Sequence, residues 1–147
     1  MPGKSDTFEN DVLKLIFNAT AIANIADNAA TSALTNLFVS LHSADPAEAG
    51  TQSTSEANYT GYARVAVPRT TGGWTVATVS NTTTASPVAS ITFPACTGGS
   101  STITHFAIGT ASTGTGKVLY AGTVSPSITV TSGITPQLTT ATTITED

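Results

Sequence analysis

Four side chains supply the elements of a nucleophilic site: Cys96 as nucleophile, His42 or His105 as base, and Asp45 as the group that would orient an imidazole. Such a set works only when nucleophile and base are held within hydrogen-bond reach, and no short motif ties these four together. His105 precedes Phe106 on a segment that reads as a strand, so the two side chains point to opposite faces. It is therefore read as an ordinary surface or hydrogen-bonded histidine. Cys96, between Pro94 and Gly98, reads as a small buried side chain at a strand end. One cysteine can form no intrachain disulfide and no cysteine-based zinc site. No metal, no cofactor and no catalytic residue are expected.

The run Gly109 to Val118 invites comparison with a phosphate-binding loop and fails on spacing. That motif needs a glycine five residues before the Gly of Gly-Lys and a hydroxyl residue after the lysine, and those positions hold Ala111 and Val118. A hairpin loop is the expectation. The carboxylates are equally telling. Asp6, Glu9, Asp11, Asp27, Asp45, Glu48 and Glu56 are followed by none until Glu146 and Asp147. Paired-carboxylate chemistry of the glycosidase kind is disfavoured, and the chain is read as no enzyme. Over the same span the bases are only Arg64, Arg69 and Lys117, too few for a nucleic-acid footprint.

The elements that must hold these residues are strands. Of the 147 residues 39% are hydrophobic and only 10% charged, with a net charge of −4. Thr and Ser make up about three residues in ten, and Thr with Val favours a pleated, half-buried surface. The length fits one core. The N-terminus has no apolar core of a signal peptide, and no run reaches the roughly 18 apolar residues of a membrane span, so a soluble protein made in the cytosol is expected.

Along the chain, Asp6 to about Phe17 reads as a helix, with Asp6 as cap, Glu9 three residues on and Asp11 near the positive end. Phe8, Val12, Leu15 and Ile16 share one face, widened by Leu13 and Phe17. That face either packs on the chain's own sheet or docks on a neighbouring subunit. Asn18 to Thr35, with isolated Ile22, Ile25 and Leu34, reads as weak helix or linker. Leu37-Phe38-Val39 with Leu41 opens the sheet and stops at Ser43-Ala44-Asp45-Pro46. Pro46 to Asn58 is a long polar loop. Tyr62–Val67 and Trp74–Val79 are expected to pair as a hairpin across Arg69 to Gly73. Further strands are expected at 88–93, 102–109, 117–123, 127–131 and 137–144, broken by Gly and Pro at intervals near those of sandwiches and barrels. The expectation is an all-β fold: an antiparallel β-sandwich or jelly roll of about eight strands with an N-terminal amphipathic helical arm. Residues 1–33 would be arm and linker, and 34–147 the β-sandwich domain.

Several segments carry a resemblance. Asn36 to Pro46 (NLFVSLHSADP), Tyr59 to Val65 (YTGYARV) and Gly73 to Val76 (GWTV), then Ile91 to Pro94, Thr104 to Gly109 and Leu119 to Gly122, together resemble a family of small virion proteins of tailed bacteriophages and prophages. The resemblance spans nearly the whole chain. It implies a non-enzymatic virion structural protein, made in the host cytoplasm. Either it decorates the capsid as a cement protein in many copies on the head exterior, the reading preferred at this level, or it is a tail-attached or tail-fibre module at the host surface. The implied partners are the major capsid protein or tail proteins and further copies of itself, with no nucleic acid and no membrane. Phe8, Val12, Leu15 and Ile16 are the inter-subunit docking candidates. Tyr59, Tyr62 and Trp74 are the contact aromatics of the tail reading, unless they are simply packed within the sheets.

Overall fold

The structure, a computed structural model, describes residues 6–22, 26 and 33–146. Ile25 and Asp27 of the expected linker, and the side chain of the expected cap Asp6, lie outside the described part. Among the described residues one helix precedes strands that pair antiparallel: α1 (Asp6–Asn18), β1 (Asn36–His42), β2 (Val65–Pro68), β3 (Trp74–Val79), β4 (Thr82–Pro87), β5 (Ile91–Thr92), β6 (Ser100–Gly109), β7 (Val118–Thr131), β8 (Gln137–Leu138) and β9 (Ile144–Glu146). Among the described residues no helix is long and apolar enough to cross a membrane. Two compact units emerge, each made of separated stretches of chain.

The first unit gathers residues 1–36, 67–90 and 139–147. Its sheet has the order β3-β4-β9, and α1 packs on β3 and β4. Leu13 and Phe17, one turn apart, are fully buried, and the Phe17 ring meets the Trp74 ring edge-on at 4.7 Å. That pairing adds about 1 kcal/mol to the apolar burial itself. The hairpin of this unit corrects the sequence reading. β3 pairs with β4 and not with the Tyr62–Val67 segment. The turn is Ser80-Asn81, both at positive φ (49° and 65°), as a two-residue turn matched to strand twist requires. The inward side chains of β4 are Thr83, Ala85 and Pro87, which leave no trace of apolar alternation in the sequence.

The second unit gathers residues 37–66 and 91–138. β6 lies between β1 and β7, and β2, whose first two residues belong here, borders β1. Phe38↔Gly109 through His42↔His105 sets the β1–β6 register. Leu37, Val39 and Leu41 on β1 and Ile103, Phe106 and Ile108 on β6 supply its core, with Phe93 and Tyr59. The two strands expected at 117–123 and 127–131 are one strand, β7. Pro126 falls where the register with β6 slips, between His105↔Thr123 and Ile103↔Ile128, so the break in sequence is a bulge and not an end. β5 and β8 form a separate two-stranded pair.

Candidate functional site

Antiparallel pairing of β1 and β6 sets His42 directly opposite His105, so the two histidines singled out in the sequence are neighbours. The other two members are elsewhere. Cys96 is buried, its thiol donating to the Gly98 carbonyl at 3.2 Å, and Asp45 sits on an exposed turn, its Oδ1 accepting the Ala47 N–H at 2.9 Å. No Cys-His-Asp site is assembled.

A different pair has a chemical form. His42 Nδ1 lies 2.8 Å from the Thr54 carbonyl, which can only accept, so Nδ1 carries the proton. Nε2 of the neutral ring is then the acceptor for the Ser40 hydroxyl at 2.9 Å. A hydroxyl on an imidazole whose far nitrogen is anchored is the arrangement of an activated nucleophile. Ser40 and His42 are both completely buried, however, and a substrate cannot reach the hydroxyl. The pair ties the loop after β1 back to the sheet. Burial depresses the His42 pKa, partly offset by the Thr54 carbonyl and the Glu56 charge.

The same loop is held by a cluster of charge. Glu56 and Arg64 form a two-pronged ion pair, and the Arg64 side chain is 2% exposed. The guanidinium also donates to the carbonyls of Ala111 (2.9 Å) and Gly114 (2.7 Å). Tyr62 donates its hydroxyl to Glu56 at 2.9 Å and accepts the Leu41 N–H at 3.0 Å, and burial pushes its pKa far above the ordinary phenol value. Gln52, fully buried, donates to the Phe38 carbonyl and accepts the Ala111 N–H at 3.0 Å. This explains the glycines of the phosphate-loop look-alike. A Cβ on Gly109 or Gly116 would lie 2.2 Å from the Gln52 carboxamide. The loop wraps a buried glutamine, and one of its amides is already taken.

In the first unit Arg69 has the comparable role. The last turn of α1 has no basic residue, and the Arg69 guanidinium donates to the carbonyls of Leu15 (2.7 Å), Ile16 (2.6 Å) and Leu34 (2.7 Å). It satisfies orphan carbonyls and sets positive charge at the negative helix end. Neither arginine's role is encoded in a local motif. The available signal was scarcity, since a lone cation in a carboxylate-free stretch has to find its partners on distant backbone or on one remote acid.

The docking candidates occupy the less buried side of α1: Phe8 is exposed, and Val12, Leu15 and Ile16 are half-buried, while Glu9, Leu13 and Phe17 form the buried stripe. Tyr59 and Trp74 are buried and Tyr62 half-buried. Tyr59 donates to the Pro94 carbonyl, and burial with the neighbouring Cys96 raises its pKa to about 12. Among the described residues no group of three or more His, Cys, Asp or Glu side chains could hold a metal ion.

The model of one protein family, described as Podophage GP4 fiber I protein gp80, matches residues 3–145 of the chain. A search of curated proteins returned no match.

Proposed function

The chain belongs to the Podophage GP4 fiber I protein gp80 family, and from that premise we propose that it is a non-enzymatic structural component of the virion, carried in several copies on the tail-fibre apparatus. The family match over almost the whole length is the observation that carries the reading. The internal geometry supports it. Side chains capable of chemistry are engaged as braces: Ser40 and His42 inside the sheet, Glu56 and Arg64 between loops. The strands expose hydroxyls, with Thr75 and Thr78 on β3, Thr102 on β6, and Thr123, Thr129 and Thr131 on β7 all at the surface. Such a surface can be covered by other chains without burying unpaired charge, and many weak contacts sum through avidity.

The same surface suits a second reading, a cement protein decorating the head exterior on the major capsid protein. The word fiber in the family description is the reason for preferring tail proteins as partners. Gold-labelled antibody against the chain separates the two in electron micrographs of whole particles. Label at the tail is the expected result, label over the head supports cement, and unlabelled particles overturn both.

A further inference from the structure

β7 is the outer strand of its sheet. β6 lies on one side; on the other, among the described residues, Thr51 bridges Lys117 at the head of the strand, and no strand pairs with the residues that follow. Alternate residues of an antiparallel edge strand direct N–H and C=O outward, where they can template another strand. Proteins blunt such edges with proline, charge or bulges. The far half of β7 is blunted this way, by the register slip at Val124–Ser127 and by Pro126. Its near half, Val118 to Thr123, has no proline and no charged side chain, and only one single-residue irregularity, at Leu119.

Beside that near half runs a shallow depression of about 520 Å³, lined by Asp45, Ala47, Glu48 and the four consecutive residues Val118 to Ala121. Successive strand side chains point to opposite faces, so four consecutive lining residues mean that the hollow follows the backbone edge. Charge is distributed unevenly around it. Glu56 of this unit is neutralised by Arg64, whereas Asp45 and Glu48 are exposed on the flank of the hollow. Lys117, at the head of the strand, is exposed too, and among the described residues its amine makes no ion pair. The edge is thus self-complementary, with a cation at one end and carboxylates on its flank.

We propose that two copies of the chain pair antiparallel through Val118 to Thr123 of β7, with Lys117 of each copy directed to the Glu48 flank of the other. This deepens the multi-copy reading above and rests on it. Stable interfaces bury about 1,600 Å², more than six paired residues supply, so the dimer is weak and concentration-dependent.

Sedimentation velocity on the full chain, across concentration and salt, tests the pairing. The expected result is a reversible dimer that added salt weakens. Lys117→Glu and Glu48→Lys each weaken it by roughly tenfold or more, and mixing the two variants restores it, because both cross-contacts of the mixed dimer are then attractive. Circular-dichroism spectra and urea midpoints identical to wild type show that the variants are folded. A chain that stays monomeric at millimolar concentration overturns the proposal. So does an oligomer that neither variant changes, or one that the mixture fails to restore. In each of these cases antibody labelling of the particle still reports separately on the virion role.

Discussion

The Arg64 guanidinium and the Glu56 carboxylate meet in parallel, Nε to Oε1 at 2.7 Å and Nη2 to Oε2 at 2.8 Å, with the arginine side chain almost wholly buried. Eight residues apart in sequence, they join the long loop after β1 to the β6–β7 connection through the carbonyls of Ala111 and Gly114.

Removing one partner strands a buried charge. Glu56→Gln lowers unfolding stability by about 3 kcal/mol, the low end of the range for a broken buried pair because Glu56 keeps some exposure. Urea unfolding followed by circular dichroism measures it. A loss under about 1 kcal/mol, the level of a surface pair, contradicts the assignment.

Two glycines in one loop separate crowding from backbone strain. At Gly116 a Cβ would collide first with Gln52 and then with the Ala111 Cβ, so that Gln52→Ala relieves only part of the crowding, whereas at Gly114 nothing lies within 4 Å but φ is +73°. Gly116→Ala costs about 2 kcal/mol through overpacking. Gly114→Ala costs about 1 kcal/mol through the left-handed backbone alone. Combining each with Gln52→Ala distinguishes them: the cost of Gly116→Ala shrinks, and that of Gly114→Ala does not change.

Burial holds the folded-state pKa of His42 below its ordinary value near 6.5. The unfolded chain then binds the proton more readily than the folded one, so stability is fully present above about pH 6.5 and is lost as pH falls from there through the lower folded value. Glu56, Arg64 and His105 all act on this ring, so the slope is isolated by comparison with His42→Gln. Unfolding midpoints between about pH 7 and 5 fall more steeply for wild type than for the variant. Parallel slopes would falsify the latch role.

Trp74 is the sole tryptophan and is buried against Phe17 of α1. Phe17→Ala removes about 3–5 kcal/mol of packing, and deletion of residues 1–20 uncovers the indole. Both shift its emission to the red. Unchanged emission on deletion would mean that α1 does not cover Trp74 in solution.

What could be read from residue patterns was what apolar side chains mark. The β1 run Leu37-Phe38-Val39, the β6 run and the amphipathic α1 are built from large hydrophobes, and the structure has them at those places. The hairpin β3–β4 was misassigned because Thr83 and Ala85 do the inward packing that Val or Ile usually does. A short turn of Ser and Asn carries less of a signal than Asn-Gly. The bracing network was invisible for another reason. Gln52, Arg64 and Arg69 reach backbone atoms up to 59 residues away in sequence, and no local spacing encodes such a partner. His42 was noticed for its chemistry, and its role depends on Thr54 and Ser40, which have no distinguishing pattern.

The proposed place of this protein is the virion fibre. The most direct measurement is a cryo-electron-microscopy difference map between particles with this protein and particles assembled without it. The expected result is difference density confined to the tail-fibre apparatus, in several symmetry-related copies, each large enough to hold this chain. Density spread regularly over the head, or no density anywhere on the particle, would contradict it.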